Sequence, residues 1–290
     1  MCERDQLEAW PSGGASDWAV NRRQAALAGL GALAACATGP GDPGRGLTED
    51  RVRFAGADGT VDGFFVAPAR GAHPGIVTWP DVAGVREAFE MMARRLAAQG
   101  HAVLAVNPYY RHAPAPQFAD FPQFRASGGF EKVAPWRAAL TAEAIGWDAR
   151  AAIAWLDARP EVDGARGIGT HGYCMGGPFA VWTAAAVPER VRAAASLHGG
   201  GLVRADDPRS PHRQLAASRA GFLFAIGRDD DARAPEVKTA LREAAAAAGR
   251  EAEVEVYPAD HGWTVPDSPA YDTAAAERAW ARMSALFAAL

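Results

Sequence analysis

Basic clusters, long apolar runs and paired cysteines are scarce in this chain, and each shortage removes a class of function. Thirty Lys and Arg stand against 34 Asp and Glu, a formal charge of −4. With no basic patch, nucleic acid is not an expected partner. The apolar run Ala25 to Ala35 falls short of the roughly 20 residues that cross a bilayer. Three cysteines, Cys2, Cys36 and Cys174, are too few, and odd in number, for a disulfide framework, and they leave the compartment open. What remains is a chain of 290 residues, 49% hydrophobic and 22% charged, which can bury one large core and calls for a single domain.

The first 50 residues read as a separate segment. Arg22-Arg23 precedes the Ala25 to Ala35 run, a length that suits a signal-peptide core, and the arginine pair looks like a twin-arginine export signal. Leu33-Ala34-Ala35-Cys36 resembles a bacterial lipobox, whose cysteine becomes the lipid anchor. Gly39 to Gly46, with Pro40 and Pro43, then forms a flexible tether. The expected division is 1–50 for export signal and linker and 51–290 for the folded domain, in the periplasm or lipid-anchored through Cys36. The competing reading is a plain N-terminal extension of a cytoplasmic protein, because 21 residues, some acidic, precede the arginine pair.

From Arg51 onward the apolar pattern alternates between strand and helix periods. Val52, Phe54, Val61, Phe64 and Val66, broken at Asp58-Gly59, predict a β-hairpin. Buried strands are expected at Ile76 to Trp79, His101 to Val106, Gly167 to Thr170, Val191 to Leu197, Gly221 to Gly227 and Ala252 to Tyr257. Between them, Phe89, Met92, Ala93 and Leu96 share a helix face, as do Leu140, Ala144, Ala151 and Trp155, and later Ala276, Trp280, Met283, Phe287 and Leu290. Pro235 to Ala248, closed by Gly249, predicts a further helix. Strands alternating with helices predict an α/β domain with a mostly parallel, doubly wound sheet. Asn107 to Pro135 shows no period and holds five prolines and six aromatic residues. It is expected to be an irregular wall or lid over a pocket, or packing against the sheet.

Gly172-Tyr173-Cys174-Met175-Gly176-Gly177 is the stretch around which chemistry gathers. It reads as a nucleophile elbow with Cys174 in the nucleophile position. The flanking glycines leave room for a strained turn and a close helix, whose N-terminus favours thiolate. Gly167, Gly169 and Gly172 also satisfy the spacing of a dinucleotide fingerprint, but the polar stretch Glu161 to Arg166 before them is no buried strand, so that reading fails.

A thiol needs a base, and the base needs an orienting group. Asp229-Asp230-Asp231 follows the strand ending at Gly227, and His261 follows the last strand. In an open parallel sheet the carboxyl ends of the strands face one crevice. Cys174, an aspartate of the run and His261 therefore meet there, in the chain order of α/β-hydrolases. Asp230 is the expected orienting acid, with Asp231 second; spacing leaves the choice within the run open. None of the other six histidines has the position of His261. The three groups show no zinc-ligand spacing, so a metal is not expected, and the reading calls for no organic cofactor. His198-Gly199-Gly200-Gly201 imitates an oxyanion loop but lies downstream of the nucleophile, and reads as a structural turn near the site.

From about Arg51 to Leu290 the chain resembles the dienelactone hydrolase family, the cysteine-dependent branch of the α/β-hydrolases. The resemblance rests on Gly172 to Gly177, on Asp81-Val82-Ala83-Gly84, on Asn107-Pro108-Tyr109-Tyr110-Arg111 and on His261-Gly262-Trp263. It implies Cys174 as nucleophile, His261 as base and Asp230 as its orienting acid. It further implies an oxyanion hole from the backbone N–H groups of Val82 and Met175. Asp81 would tune the thiol, Arg111 would hold a substrate carboxylate, and Tyr110, Tyr173 and Trp263 fall in the matching motifs as substrate-binding or thiol-tuning positions. Family members of the best-known type carry a second arginine about a turn after the histidine, where this chain has Val265, so the reaction class carries over better than the substrate. The sequence thus points to a hydrolase of small esters or lactones working through an acyl-cysteine. The rival is a catalytically silent lipoprotein that binds a small molecule in the same fold.

Overall fold

The computed structural model describes residues 46–290; the arginine pair, the Ala25 to Ala35 run, Cys36 and the tether before Gly46 lie outside the described residues. One eight-stranded sheet runs through the domain in the order β1-β2-β4-β3-β5-β6-β7-β8. Its strands are β1 (Leu47–Gly56), β2 (Gly59–Pro68), β3 (Gly75–Trp79), β4 (Ala102–Val106), β5 (Ile168–Tyr173), β6 (Val191–Leu197), β7 (Gly221–Gly227) and β8 (Ala252–Tyr257). β1 and β2 form an antiparallel hairpin that joins β4 antiparallel, and every pairing from β4 to β8 is parallel. The hairpin starts at Leu47, inside the stretch read as linker, and its turn is Ala57-Asp58, with Gly56 already paired to Gly59.

Helices cover both faces, because strands buried on both sides send alternate residues into two apolar layers. Val77, Trp79, Leu104, Val106, Phe222, Phe224 and Ile226 enter one layer, with Ile145, Ala149 and Ile153 of α4 (Ala142–Asp157), Phe179 of α5 (Gly176–Ala186) and Leu241 of α8 (Val237–Ala248). Ile76, Val103, Ala105, Leu223 and Ala225 enter the other, with Phe89, Met92 and Leu96 of α1 (Glu87–Ala98) and Trp280, Met283 and Phe287 of α9 (Thr273–Phe287). Capping side chains start α4 and α9: Thr141 accepts from the N–H of Ala144 at 3.2 Å and Asp272 from that of Ala275 at 2.8 Å.

The segment from Asn107 to Pro135 is less irregular than its sequence suggests. It contains α2 (Phe121–Ala126) and most of α3 (Gly129–Ala138). Asp120 starts α2 by accepting from the N–H of Gln123 at 2.7 Å, and Gly128, at φ 66°, turns the chain into α3. Both helices are too short for a period to show, and Pro135 sits inside α3. Phe118, Phe121 and Phe130 pack around Phe124 with ring centroids 4.6–5.4 Å apart. The short helix α6 (Pro211–Gln214) follows β6, and α7 (Arg228–Arg233) follows β7 directly and carries the acidic run.

Candidate active site

β5 ends in a turn that only a few residues allow. Cys174 has φ 52°, a left-handed conformation that is rare and costly for a side chain with a Cβ. The turn is closed from both sides. A Cβ on Gly172 would fall inside the contact distance of the Gly176 carbonyl oxygen, and one on Gly176 would lie 2.5 Å from the Trp79 and 2.6 Å from the Pro80 carbonyl oxygens. The start of α5 is therefore pressed against the backbone leaving β3. That approach brings Met175, at the N-terminus of α5, beside the Pro80 to Val82 loop. The Tyr109 hydroxyl, fully buried, joins the two: it donates to the Val82 carbonyl at 2.9 Å and lies 3.3 Å from the Met175 sulfur.

Across the crevice, the loops after β7 and β8 bring the acid and the base together. His261 Nδ1 lies 2.8 Å and 3.1 Å from the two carboxylate oxygens of Asp230, and the same ring hydrogen-bonds to the Cys174 side chain. Burial works against a charged ring, but Cys174 and then Asp230 outweigh it and push the His261 pKa up to about 10. The three aspartates of the run divide their work. Asp229 accepts from the backbone N–H of His261 at 2.8 Å, Asp230 takes the ring, and Asp231 pairs with Lys238 at 2.6 Å. Burial opposes the Asp230 charge, yet His261 and Arg233 hold its carboxyl below the usual range.

His198 does more than form a structural turn, a role that its sequence context does not announce. Its buried ring lies 4.9 Å from that of His261, centroid to centroid. The N–H of Cys174, shared with the Leu197 carbonyl at 3.1 Å, also donates to His198 Nδ1 at 3.1 Å, and His198 Nε2 hydrogen-bonds with Thr264 Oγ1 at 2.8 Å. Burial first, and the neighbouring His261 second, lower its pKa well below the ordinary value, so the ring is neutral. The glycines beyond it complete the anchor, since the N–H of Gly200 donates to the Cys174 carbonyl at 3.2 Å. A histidine immediately after a parallel strand is the signal that could have found it.

Asp81, marked by its motif, belongs to a buried ion-pair chain whose other members, Arg86 and Asp267, carry no sequence signature. Arg86 donates to both Asp81 oxygens at 2.7 and 2.9 Å and to both Asp267 oxygens at 2.6 and 2.7 Å. Burial disfavours the guanidinium charge, and the two carboxylates override it and hold Arg86 protonated. Burial pushes the Asp81 carboxyl up, against the pull of Arg86, and Asp267 and Cys174 add to the rise; Asp81 also accepts from the N–H of Ala83 at 2.9 Å, which shapes the loop through Val82.

Four residues singled out by motif are placed differently from the expectation. Arg111 turns to the hairpin: it donates to both oxygens of the buried Asp148 at 2.8 and 2.9 Å and to Asp58 at 2.9 Å. The Tyr110 hydroxyl donates to the same Asp148 at 2.8 Å, and the guanidinium of Arg111 stacks on its ring. A buried carboxylate on α4 thus draws both side chains to itself. Tyr173 is fully buried in the apolar layer opposite Cys174, because successive strand residues point to opposite faces; it packs edge-on to Phe89 and hydrogen-bonds to His171 at 3.0 Å. Trp263 is fully buried, stacked on Tyr257 and edge-on to His198, so it backs the site from behind. Val265, where a second arginine would stand, is buried too.

Comparison with known proteins agrees with this architecture. Residues 61–290 match the model of the dienelactone hydrolase family. A carboxymethylenebutenolidase of Rhodococcus opacus is 30% identical over 220 residues, covering 73% of this chain and 79% of its own. A crystal structure from Klebsiella pneumoniae superposes with a TM-score of 0.71 at 24% identity, over 84% of this chain and 99% of its own, which shows the shared fold. A dienelactone hydrolase-like promiscuous phosphotriesterase from metagenomic libraries gives 0.65 at 25% identity, over 84% and 98%. The chain belongs to the dienelactone hydrolase family, as a carboxylic ester or lactone hydrolase of the α/β-hydrolase fold.

Proposed function

We propose that the hydrolase opens a small ester or lactone through a thioester on Cys174, with His261 moving the protons and Asp230 holding His261. The Cys174 sulfur attacks the carbonyl carbon, and the carbonyl π pair moves onto oxygen, where the N–H groups of Val82 and Met175 stabilise it. As that pair returns, the C–O bond breaks and the leaving oxygen takes a proton from the His261 imidazolium. In a lactone the new hydroxyl stays tethered to the acyl group. His261 then takes a proton from water, the water oxygen bonds to the acyl carbon, and the C–S bond breaks to restore the thiolate and release the acid.

The observation that carries the reading is the His261 ring, bonded to Asp230 through Nδ1 at 2.8 Å and to the Cys174 side chain in the same buried site. The test is hydrolysis of p-nitrophenyl esters, simple lactones and dienelactone by a chain beginning after Cys36, beside its Cys174→Ala variant. Turnover that disappears in the variant supports the thioester route, and undiminished turnover contradicts it.

The N-terminal 50 residues are proposed as an export signal and linker, on the Arg22-Arg23 pair and the apolar run that follows. Fractionation of a bacterium expressing the full chain tests this: protein in the envelope supports export, and protein confined to the cytoplasm contradicts it.

A further inference from the structure

The stretch Asn107-Pro108-Tyr109-Tyr110-Arg111 sends its long side chains two ways. Tyr110 and Arg111 turn to the buried Asp148. Tyr109 goes to the elbow, where its hydroxyl donates to the Val82 carbonyl at 2.9 Å and lies 3.3 Å from Met175 Sδ. One hydroxyl therefore touches both residues whose N–H groups are assigned to the oxyanion.

Those N–H groups are left open by the fold. Val82 and Met175 are both buried, yet among the described residues no backbone carbonyl accepts from the N–H of either. Buried N–H groups are nearly always paired, and two left open on adjoining turns suit an acceptor that forms only during the reaction, a carbonyl oxygen gaining charge. Such donors work only when held at roughly 2.7–3.1 Å from that oxygen, so what fixes one turn against the other bears on the rate.

Val82 is shaped within its own loop by Asp81, which accepts from the N–H of Ala83 at 2.9 Å, and by Arg86, which donates to the Gly84 carbonyl at 3.0 Å. The Tyr109 hydroxyl crosses from that loop to Met175. Tyr109 is itself pinned: its N–H donates to Asn107 Oδ1 at 2.9 Å, and its carbonyl accepts from the N–H groups of His112 and Ala113 at 2.8 and 2.9 Å. Asn107, fully buried, donates to Asp62 at 2.9 Å, and the Trp136 ring packs on the phenol with centroids 5.5 Å apart.

We infer that Tyr109 is a positioning residue for the hydrolysis: its hydroxyl holds the Val82 and Met175 N–H groups at the spacing that receives the oxyanion. It acts through backbone and touches no substrate. The inference rests on the proposed mechanism for the oxyanion itself, but its test separates the two.

Tyr109→Phe removes the hydroxyl and keeps the ring. Ester hydrolysis builds an oxyanion, whereas alkylation of Cys174 by iodoacetamide forms a C–S bond as iodide leaves and builds none. The experiment measures both in the full chain near neutral pH, with p-nitrophenyl butyrate as the ester and peptide mapping for the alkylation. The expected result is a kcat lower by about tenfold to a hundredfold, with KM and the alkylation rate within about twofold of wild type. A hydroxyl that merely shapes the elbow would slow both reactions together. Equal losses therefore overturn the inference, as does an unchanged kcat.

Should Tyr109→Phe not fold, Trp136→Leu decides in its place, since it loosens the packing of the phenol from a half-buried position and leaves the hydroxyl present. The expected pattern is the same on a smaller scale, a kcat lower by about twofold to fivefold with alkylation unchanged; unchanged turnover, or turnover and alkylation falling together, overturns the inference. Turnover that survives Cys174→Ala yet falls in Tyr109→Phe would count against the thioester and leave the positioning role standing.

Discussion

At the scale of single residues, the account turns on protons held by His261. Its pKa is pushed up to about 10 because Cys174 and Asp230 outweigh burial. The sign follows: a raised histidine stays charged until the pH passes its own pKa, so the acid that protonates the leaving oxygen is lost only above about pH 10. The alkaline limb of kcat/KM against pH is therefore expected near 10, and an Asp230→Asn variant is expected to move that limb to lower pH and to reduce kcat by about two to four orders of magnitude. A limb near the ordinary histidine value in the wild type contradicts the pairing. His198 acts through Cys174 instead, by accepting from its N–H. His198→Ala is expected to lower kcat by about tenfold to a hundredfold, with KM and the alkaline limb nearly unchanged, because the lost ring is neutral and only positions the elbow.

At the scale of elements, the elbow is the most constrained joint. Cys174 adopts a positive φ, and Gly172 faces the backbone of α5 with no room for a methyl group. Gly172→Ala is expected to cost about 3 kcal/mol or more in urea unfolding, since rigid backbone must shift to admit it; an unchanged midpoint contradicts the close approach. The elbow was legible in the sequence because its requirement is local, small residues around one nucleophile. The sheet was legible for a similar reason, since apolar runs such as Val191 to Leu197 and Gly221 to Gly227 each form one strand between more polar connections. The helices α2 and α3 were not legible, because each is short and their aromatic residues pack on one another instead of following a helical stripe. Cys174, His261 and the acidic run could be placed together because each closely follows a parallel strand. Which way Arg111 turns could not be read, since a motif fixes its place in the chain and Asp148, 37 residues away on α4, fixes its partner.

At the scale of the whole molecule, Arg86 ties distant parts of the chain into one frame. It joins the loop after β3 to Asp267, 181 residues later in the stretch before α9, and Asp267 in turn accepts from the N–H of Phe121 at the start of α2 at 2.9 Å. Sequence separation of that size leaves no local pattern, which is why the chain of charges was invisible before the fold was known. Removing the cation leaves two carboxylates buried together without compensation. Arg86→Ala is expected to lower the unfolding free energy by about 3–5 kcal/mol. A fall of less than about 1 kcal/mol in chemical denaturation contradicts a structural role for this ion-pair chain.

The central claim is covalent: the acyl group of the substrate passes through the sulfur of Cys174. Mixing the protein with p-nitrophenyl butyrate, quenching in acid within the first turnovers and mapping the peptides by mass spectrometry tests it most directly. The expected result is a butyryl mass increment on the peptide that contains Cys174, formed with a burst of p-nitrophenol and absent in Cys174→Ala. Steady turnover with no acyl group on that peptide, undiminished in the variant, would contradict the account.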